Sequence, residues 1–129
     1  MTVGDSKDAV RSYFDELLNR GDMAVADAIF IPDVRFEYPL GDLKGVEAVK
    51  GYITAFRTAF PDAHFTLEDM FGDGERVAAR WRLAGTQTGL FRGKPPTGKQ
   101  VTLSGNTLFR LQGGKIAEMW VAFDPAKLA

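Results

Sequence analysis

The chain has 129 residues, of which 45% are hydrophobic and 26% charged, and its formal net charge is −1. These values predict one globular domain over residues 1–129 and exclude a disordered or fibrous chain. The lack of a Lys or Arg cluster excludes nucleic acid, the lack of Cys excludes disulfides, and the polar N-terminus predicts a cytoplasmic protein with no membrane partner.

Helical periodicity marks the first part of the sequence. Apolar residues at intervals of three and four predict a first helix, capped by Asp5 or Ser6, that runs to about Arg20. A narrower apolar stripe over residues 25–30 predicts a short second helix, which ends at Pro32. Each helix therefore has one apolar face to bury.

A short strand and a third helix follow. Residues 35–38 predict the strand, and Pro39 and Gly41 predict a turn after it. Apolar residues then recur at steps of three and four from Val46 to about Phe60, where Pro61 ends the helix.

Alternating apolar and polar residues predict strands through the rest of the chain. The first strand runs from Ala63 to Phe71, and its inward face carries Phe65, Leu67 and Phe71. The second runs from Arg76 to Gly89 and is followed by an irregular, Gly- and Pro-rich segment from Leu90 to Lys99. The pattern from Val101 to Asp124 predicts two antiparallel strands joined by a Gly-Gly turn. This order favours the α+β class, with a bent antiparallel sheet wrapped around three N-terminal helices.

The aromatic content predicts a cavity inside this fold. Ten Phe, three Tyr and two Trp are many rings for a small core, and surplus rings often line a pocket. The predicted wall residues are Phe56, Phe60, Trp81, Phe109 and Met119. The alternative is that the same side chains fill a plain core.

Several segments together resemble one known family. They are GTQTGLFRGKPPTGKQV at 85–101, GGKIAEMW at 113–120, FPDAHFTLEDM at 60–70 and a trailing Asp124. With them the chain resembles the SnoaL-like proteins of the nuclear transport factor 2-like (NTF2-like) superfamily over nearly its whole length. The resemblance implies a cone in which a curved sheet closed by helices encloses an apolar pocket. It also implies an apolar small-molecule ligand and, as in many members, a homodimer formed through the outer face of the sheet.

The resemblance does not carry over the family's catalytic residues. In its polyketide cyclases, an intramolecular aldol closure depends on an acid on the last strand and a histidine on the preceding strand. When the Gly-Lys-Ile turn is matched, the acid falls at Val121 and the histidine at Thr107, and neither residue ionises near neutral pH. Gln87 stands where many relatives have a histidine after Gly-Thr. The usual cyclase machinery is therefore absent.

Asp124 and Tyr38 are the remaining candidates for catalytic proton transfer. Asp124 lies at the end of the predicted hairpin, where burial would raise the pKa of its carboxyl. The alternatives are a turn cap before Pro125 or an ion pair with an arginine. Tyr38 is the preferred hydroxyl for polarising a carbonyl, and its alternative is core packing with the hydroxyl toward solvent.

Four further residues are predicted to bind the substrate. Gln87, Thr107 and Val121 share the parity of the inward apolar residues, and Tyr13 lies on a helix that closes the cone. For Gln87 and Thr107 the alternative is a buried polar side chain satisfied by backbone or water. A single histidine, His64, and no Cys give too few good ligands for a metal, so we expect neither metal nor cofactor.

The opposite parity predicts the outer face of the sheet. Arg80 and Arg82 are expected there, paired with Glu118 or with a second subunit. Trp120 also falls on this face, where it is a reasonable dimer anchor.

These features favour a cofactor-free SnoaL-like enzyme that cyclises, isomerises or hydrolyses an apolar, polyketide-like carbonyl or ester compound. A second hypothesis is a non-catalytic dimeric binding protein for an apolar small molecule, motivated by the residues at positions 107 and 121. A third is a dimerising accessory domain whose cavity is filled by its own side chains.

Overall fold

The computed structural model describes residues 3–39, 41–91 and 93–124. Helix α1 (Val3–Ser12) continues directly into a π-helical segment (Tyr13–Asn19), and the later helices are α2 (Ala24–Ile29) and α3 (Val46–Ala59). The strands are β1 (Phe30–Tyr38), β2 (Gly41–Lys44), β3 (His64–Asp73), β4 (Arg76–Thr86), β5 (Gln100–Gln112) and β6 (Lys115–Phe123).

The six described strands form one curved sheet that does not close on itself. Their order is β2-β1-β6-β5-β4-β3, with β1 and β6 parallel and every other neighbouring pair antiparallel. Buried apolar side chains of the helices and of the sheet form one shared core. The predicted α+β class, with a curved sheet packed against helices, is confirmed, and the parallel β1–β6 pair is the exception to the predicted antiparallel pairing.

The first helix differs from its prediction in start and in shape. It begins at Val3, ahead of the expected cap at Asp5 or Ser6, and from Tyr13 to Asn19 it is a π-helix. The wider turns of a π-helix bring neighbouring side chains onto one face. Its buried residues are Tyr13, Phe14, Leu17 and Leu18. The π-helical segment therefore presents two adjacent pairs of large apolar side chains to the core.

The next elements differ from their predictions at two ends and in one extra strand. Helix α3 ends at Ala59, one residue before the predicted Phe60. Strand β1 begins at Phe30, which the sequence assigned to the second helix. Strand β2 was not predicted, because its sequence GDLK contains one apolar residue and it pairs on one side only, at the edge of the sheet.

A β-bulge in β3 reverses the predicted direction of its last side chains. The pairing of β3 with β4 shifts between Leu67 and Asp69, so one extra residue lies in β3 at Glu68. Beyond the bulge, Met70 packs against the core and Phe71 is 65% exposed. The prediction of an inward Phe71 is wrong, because alternation assumes a strand without such an insertion.

Strand β4 ends at Thr86, before the predicted Gly89, because the backbone then bonds to helix α3. The N–H groups of Thr88 and Gly89 donate to the carbonyl of Ala59 at 2.9 and 3.1 Å. The irregular segment after β4 is therefore attached to the end of α3.

The hairpin of β5 and β6 was predicted correctly and forms much of the concave face. Its turn contains Gly113 and Gly114, with φ angles of 59° and 81°, a conformation that favours glycine. Thr107 lies opposite Val121 in the register. From position 103 to 111 of β5 the odd-numbered residues are buried and the even-numbered ones are not. The predicted inward parity of β5 is confirmed.

Candidate functional site

A pocket of about 50 Å³ lies between the concave face of the sheet and the helices. Most of its lining is aromatic or aliphatic, including Phe14, Phe36, Ile53, Phe65, Leu83, Leu103 and Phe123. The lining residues that carry a hydroxyl group are Tyr13, Tyr38, Tyr52 and Thr107. No carboxylate, imidazole, ammonium or guanidinium group of a described residue lines this pocket.

One wall of the pocket is an aromatic cluster from β1 and α3. The ring centroid of Tyr38 lies 5.1 Å from that of Phe36 and 4.9 Å from that of Tyr52. Tyr52 continues to Phe56, whose centroid is 6.5 Å away. This wall therefore places two phenol rings side by side within an otherwise apolar surface.

The facing wall comes from β3, β4 and β6. The ring centroid of Trp81 lies 5.5 Å from that of Phe65 and 6.3 Å from that of Phe123. Asn19, at the end of the π-helical segment, holds Phe65 by its backbone. Its Nδ2 donates to the Phe65 carbonyl at 2.9 Å, and its Oδ1 accepts from the Phe65 N–H at 2.7 Å. This pair of bonds connects the helices to an edge strand.

Trp81 and Thr107 form a buried hydrogen bond on the sheet side of the pocket. The indole Nε1 of Trp81 donates to Thr107 Oγ1 at 2.9 Å. Gly105 lies opposite Trp81 in the register, and a Cβ at Gly105 would overlap Cζ2 and Cη2 of the indole. The missing side chain at position 105 therefore makes the space in which the indole lies over β5 and reaches Thr107.

Tyr13 contributes a buried phenol to the pocket. Its ring contacts Phe14 and Phe109 edge-on, with centroid distances of 5.1 and 5.6 Å. Burial, and secondarily the proximity of Tyr52, raises the pKa of Tyr13 far above its ordinary value. The Tyr13 hydroxyl therefore stays protonated at physiological pH and is a hydrogen-bond donor.

Six of the residues that the sequence singled out meet at this pocket. They are Tyr13, Tyr38, Phe56, Trp81, Thr107 and Val121. Thr107 and Val121, the positions matched to the family's histidine and acid, are cross-strand neighbours. Thr107 and Val121 thus lie side by side on the concave face.

Four other predicted residues lie away from the lining. Phe60, Phe109 and Met119 are fully buried in the core around the pocket. Phe60 stacks behind Phe56 at a centroid distance of 5.0 Å. Asp124 is exposed, directly after Phe123, and the structure does not bring its side chain to the pocket lining; Pro125 lies outside the described residues.

Gln87 is also buried without lining the pocket, since its side chain holds the segment after β4 together. Its Nε2 donates to the carbonyls of Gly89 and Pro95 at 3.2 and 3.3 Å. Its Oε1 accepts from the Thr97 hydroxyl at 3.3 Å. Gln87 is therefore a buried polar side chain whose hydrogen bonds are made within the protein, which was the alternative to a substrate-binding role.

The predicted wall residues did not include Phe36, Phe65 or Phe123, although Phe65 was expected on the inward face of its strand. The other two also carried a signal, because Phe36 precedes Tyr38 by two residues and Phe123 follows Val121 by two. Side chains two apart on a strand share a face. The same parity argument that selected Val121 would have selected Phe123.

The charged groups of the central strands lie on the convex face. Arg80 and Arg82 pair with Glu68, at 3.3 and 3.6 Å, and Glu118 pairs with Arg110 at 2.7 Å. The predicted pairing of Arg80 and Arg82 with Glu118 is wrong, because the bulge turns Glu68 toward both arginines.

No group of three His, Cys, Asp or Glu residues within the described part of the chain is arranged to hold a metal ion. No helix among residues 3–39, 41–91 and 93–124 is long and apolar enough to cross a membrane.

Several solved structures match nearly the whole chain. A SnoaL-like polyketide cyclase candidate from Jannaschia sp. CCS1 is 26% identical, with 97% of this chain and 89% of that chain covered and a TM-score of 0.90. IdmH from Streptomyces antibioticus, a polyketide cyclase candidate, is 26% identical, with coverages of 95% and 97% and a TM-score of 0.81. TsrD from Streptomyces laurentii shares the fold at 23% identity, with coverages of 99% and 94% and a TM-score of 0.87.

The comparison by sequence gives the family directly. No protein of curated function matches the chain significantly. The sequence model of the SnoaL-like polyketide cyclases, in contrast, matches residues 8–129. This range contains the π-helical segment, α3 and all six strands of the sheet. The chain therefore belongs to the SnoaL-like polyketide cyclase family.

Proposed function

We propose that the protein is a cofactor-free, cytoplasmic small-molecule enzyme of the cyclase type. Its substrate is an apolar, polyketide-like compound with carbonyl or ester groups, which it cyclises, isomerises or hydrolyses. The observation that carries the proposal is the pocket itself, whose described lining combines aromatic walls with hydroxyl groups and no charge. Such a lining excludes water and orients a neutral substrate, and both effects favour an intramolecular reaction.

The reaction must proceed without the carboxylate and histidine of the family's cyclases, since Val121 and Thr107 stand in their places. Tyr38 is the proposed proton-handling group, because its phenol lines the pocket beside Tyr52. A phenol hydrogen bond to a carbonyl oxygen stabilises the negative charge that develops there when a carbon–carbon bond forms or an enol is made. Asp124 is retained as a second, weaker participant, because it directly follows Phe123, which lines the pocket.

The direct test is a turnover assay with neutral aromatic polyketones and aryl esters. The purified protein is incubated with each compound, and products are separated by chromatography before mass spectrometry, because isomerisation and some cyclisations leave the mass unchanged. Conversion above the rate without protein, lost on Tyr38→Phe, supports the proposal. The absence of any converted compound in the panel, together with ligand binding, would favour the second function.

That second function is a non-catalytic binding protein for an apolar small molecule. The observation in its favour is the pairing of two residues without an ionisable group, Thr107 and Val121, in the middle of the site. Its expected signature is a ligand-dependent rise in melting temperature with quantitative recovery of the unchanged ligand.

A homodimer through the convex face is a further part of the proposal. Phe71 is 65% exposed and Leu108 is 41% exposed. The register aligns Phe71, Ala78, Leu108 and Trp120 in one row across four strands. Apolar side chains in a row, between ion pairs, suit a self-complementary interface.

Light scattering tests the dimer. Leu108→Lys is expected to give a monomer, whereas Thr102→Lys, an exposed position on the same face of β5, leaves the mass unchanged. A wild-type protein that is monomeric at high concentration contradicts this part of the proposal and leaves the enzymatic part standing.

A further inference from the structure

We propose that the hydroxyls of Thr107 and Tyr13 are hydrogen-bond donors that select carbonyl oxygens, so that the substrate class is a neutral aromatic ketone. The inference rests on the proposed function, since it concerns the same pocket. It assigns the specificity of that pocket to two hydroxyls and to the Trp81–Gly105 pair that orients one of them.

The first step is the direction of the Trp81–Thr107 hydrogen bond. An indole N–H can only donate, so Thr107 Oγ1 must be the acceptor. A threonine hydroxyl has one proton of its own, and Thr107 donates it to no described residue. Because Thr107 lines the pocket, that proton is available to a ligand. The bond from Trp81 also polarises the hydroxyl and makes it a better donor.

The second step is that this donor is held in place. Trp81 is 4% exposed and Thr107 is 3% exposed. The indole is confined between Phe65 and Phe123 and occupies the space that Gly105 leaves. A donor that is already oriented loses little entropy when a ligand binds, so its hydrogen bond contributes more to affinity.

The third step is the Tyr13 hydroxyl, which has no hydrogen-bond partner among the described residues. Every fully enclosed polar side-chain atom of the described residues has a partner. The hydroxyl of this buried residue must therefore be open to the pocket, which Tyr13 lines. An unpartnered donor in a buried position requires an acceptor from a ligand or from water.

The final step is the chemistry of the ligand. A charged ligand would lose its hydration in this pocket without meeting an opposite charge from the described lining, which is strongly unfavourable. Two donors require acceptor oxygens, and the walls require aromatic surface. A neutral aromatic ketone meets all three requirements, whereas a hydrocarbon leaves both donors unpaired.

Acetophenone and ethylbenzene test the inference, because they share an aromatic ring and differ by one carbonyl oxygen. Dissociation constants of both are measured by NMR titration for wild type, Thr107→Val, Thr107→Ser and Tyr13→Phe. We expect wild type to prefer the ketone by about tenfold, which corresponds to one hydrogen bond. Thr107→Val and Tyr13→Phe should each lower this ratio at least threefold, and Thr107→Ser should keep it.

The ratio of the two dissociation constants is taken within each variant. A general loosening of the pocket weakens the binding of both ligands and therefore leaves this ratio unchanged. A ketone preference that survives Thr107→Val and Tyr13→Phe unchanged overturns the inference. Infrared spectroscopy of bound carbonyl-13C acetophenone is a second measurement that needs no variant. A carbonyl stretch lower than in cyclohexane supports the two donors, and an unshifted stretch overturns them.

The outcomes separate the inference from the proposed function. Equal binding of the two ligands overturns the carbonyl selection and leaves an apolar-substrate enzyme standing. Absence of binding by either ligand overturns both, because the pocket then takes no small aromatic compound. Ketone-selective binding without turnover of any ketone supports the inference and removes the enzymatic proposal.

Discussion

The concave and convex faces of the same central strands carry opposite kinds of chemistry. On the concave face, Thr107 and Val121 lie opposite each other in a pocket whose described lining is uncharged. On the convex face, Arg110 pairs with Glu118 at 2.7 Å. The paired carboxylates Glu68 and Glu118 therefore lie on the side of the sheet away from the pocket, and no carboxylate of a described residue lines it. The comparison teaches that any chemistry in the pocket depends on hydroxyl groups.

The largest expected effect is on turnover. Tyr38→Phe removes the proposed proton-handling hydroxyl and should lower kcat about 100-fold, because the developing oxyanion loses its donor. Tyr52→Phe, on the neighbouring ring, is the matched comparison and should have a smaller effect. The measurement is kcat with the best substrate of the turnover assay. Equal rates for wild type and Tyr38→Phe would remove Tyr38 from the mechanism.

A carboxylate on the concave face is the next test. Val121→Asp should lower the free energy of unfolding by about 2 kcal/mol near neutral pH, because the charge is placed in an apolar pocket. Burial raises the folded-state pKa of such a carboxyl above the unfolded value of about 4, so the loss should shrink as pH falls toward about 4 and stay constant below it. Ala122→Asp, one residue away on the convex face, is the control and should be nearly neutral in urea unfolding. Similar losses for both variants would contradict the contrast between the faces.

The packing of Trp81 on β5 gives a smaller effect on stability. Gly105→Ala places a methyl group against the indole and should cost about 1.5 kcal/mol in urea unfolding. Gly51→Ala in α3, where an added Cβ meets no atom within 4 Å, should be neutral or stabilising. The indole Nε1–H resonance of Trp81 should shift in Gly105→Ala, since its bond to Thr107 is disturbed. An unchanged resonance would show that Gly105 does not position this pair.

The raised pKa of Tyr13 predicts a dependence on alkaline pH. Its folded-state pKa lies above the unfolded value of about 10. The stabilisation is therefore complete below pH 10 and is lost as pH rises through the folded-state pKa. The free energy of unfolding of wild type should fall relative to that of Tyr13→Phe by up to about 1.4 kcal/mol per pH unit above pH 10. Parallel pH profiles of the two proteins in urea unfolding would show that Tyr13 ionises freely when folded.

The smallest effect is expected at the rim. Asp124→Asn should lower kcat only about threefold, because this exposed side chain is absent from the pocket lining. Its melting temperature should stay close to that of wild type. A loss as large as that of Tyr38→Phe would move the proton-transfer role from the phenol to the carboxylate.

Much of the fold follows from local patterns. Helix α3 and the β5–β6 hairpin were predicted closely, because steps of three and four or of two, with Pro61 and the Gly-Gly turn as ends, depend on nearby residues alone. The same patterns selected Thr107, Val121 and Trp81 for the pocket. They failed at Phe71, because a bulge shifts the alternation without a distinctive residue to mark it. In the π-helical segment they predicted the buried residues but not the π-helical form.

The sequence by itself determined which faces of the strands and helices are apolar, and that positions 107 and 121 carry side chains that do not ionise near neutral pH. Only the tertiary structure decided that Tyr13 and Thr107 line a remaining space while Phe109 and Met119 close the core around it. Parity shows the direction of a side chain along one strand. A cavity depends on how far apart two surfaces are held, and contacts distant in sequence set that separation, such as the bonds of Asn19 to Phe65.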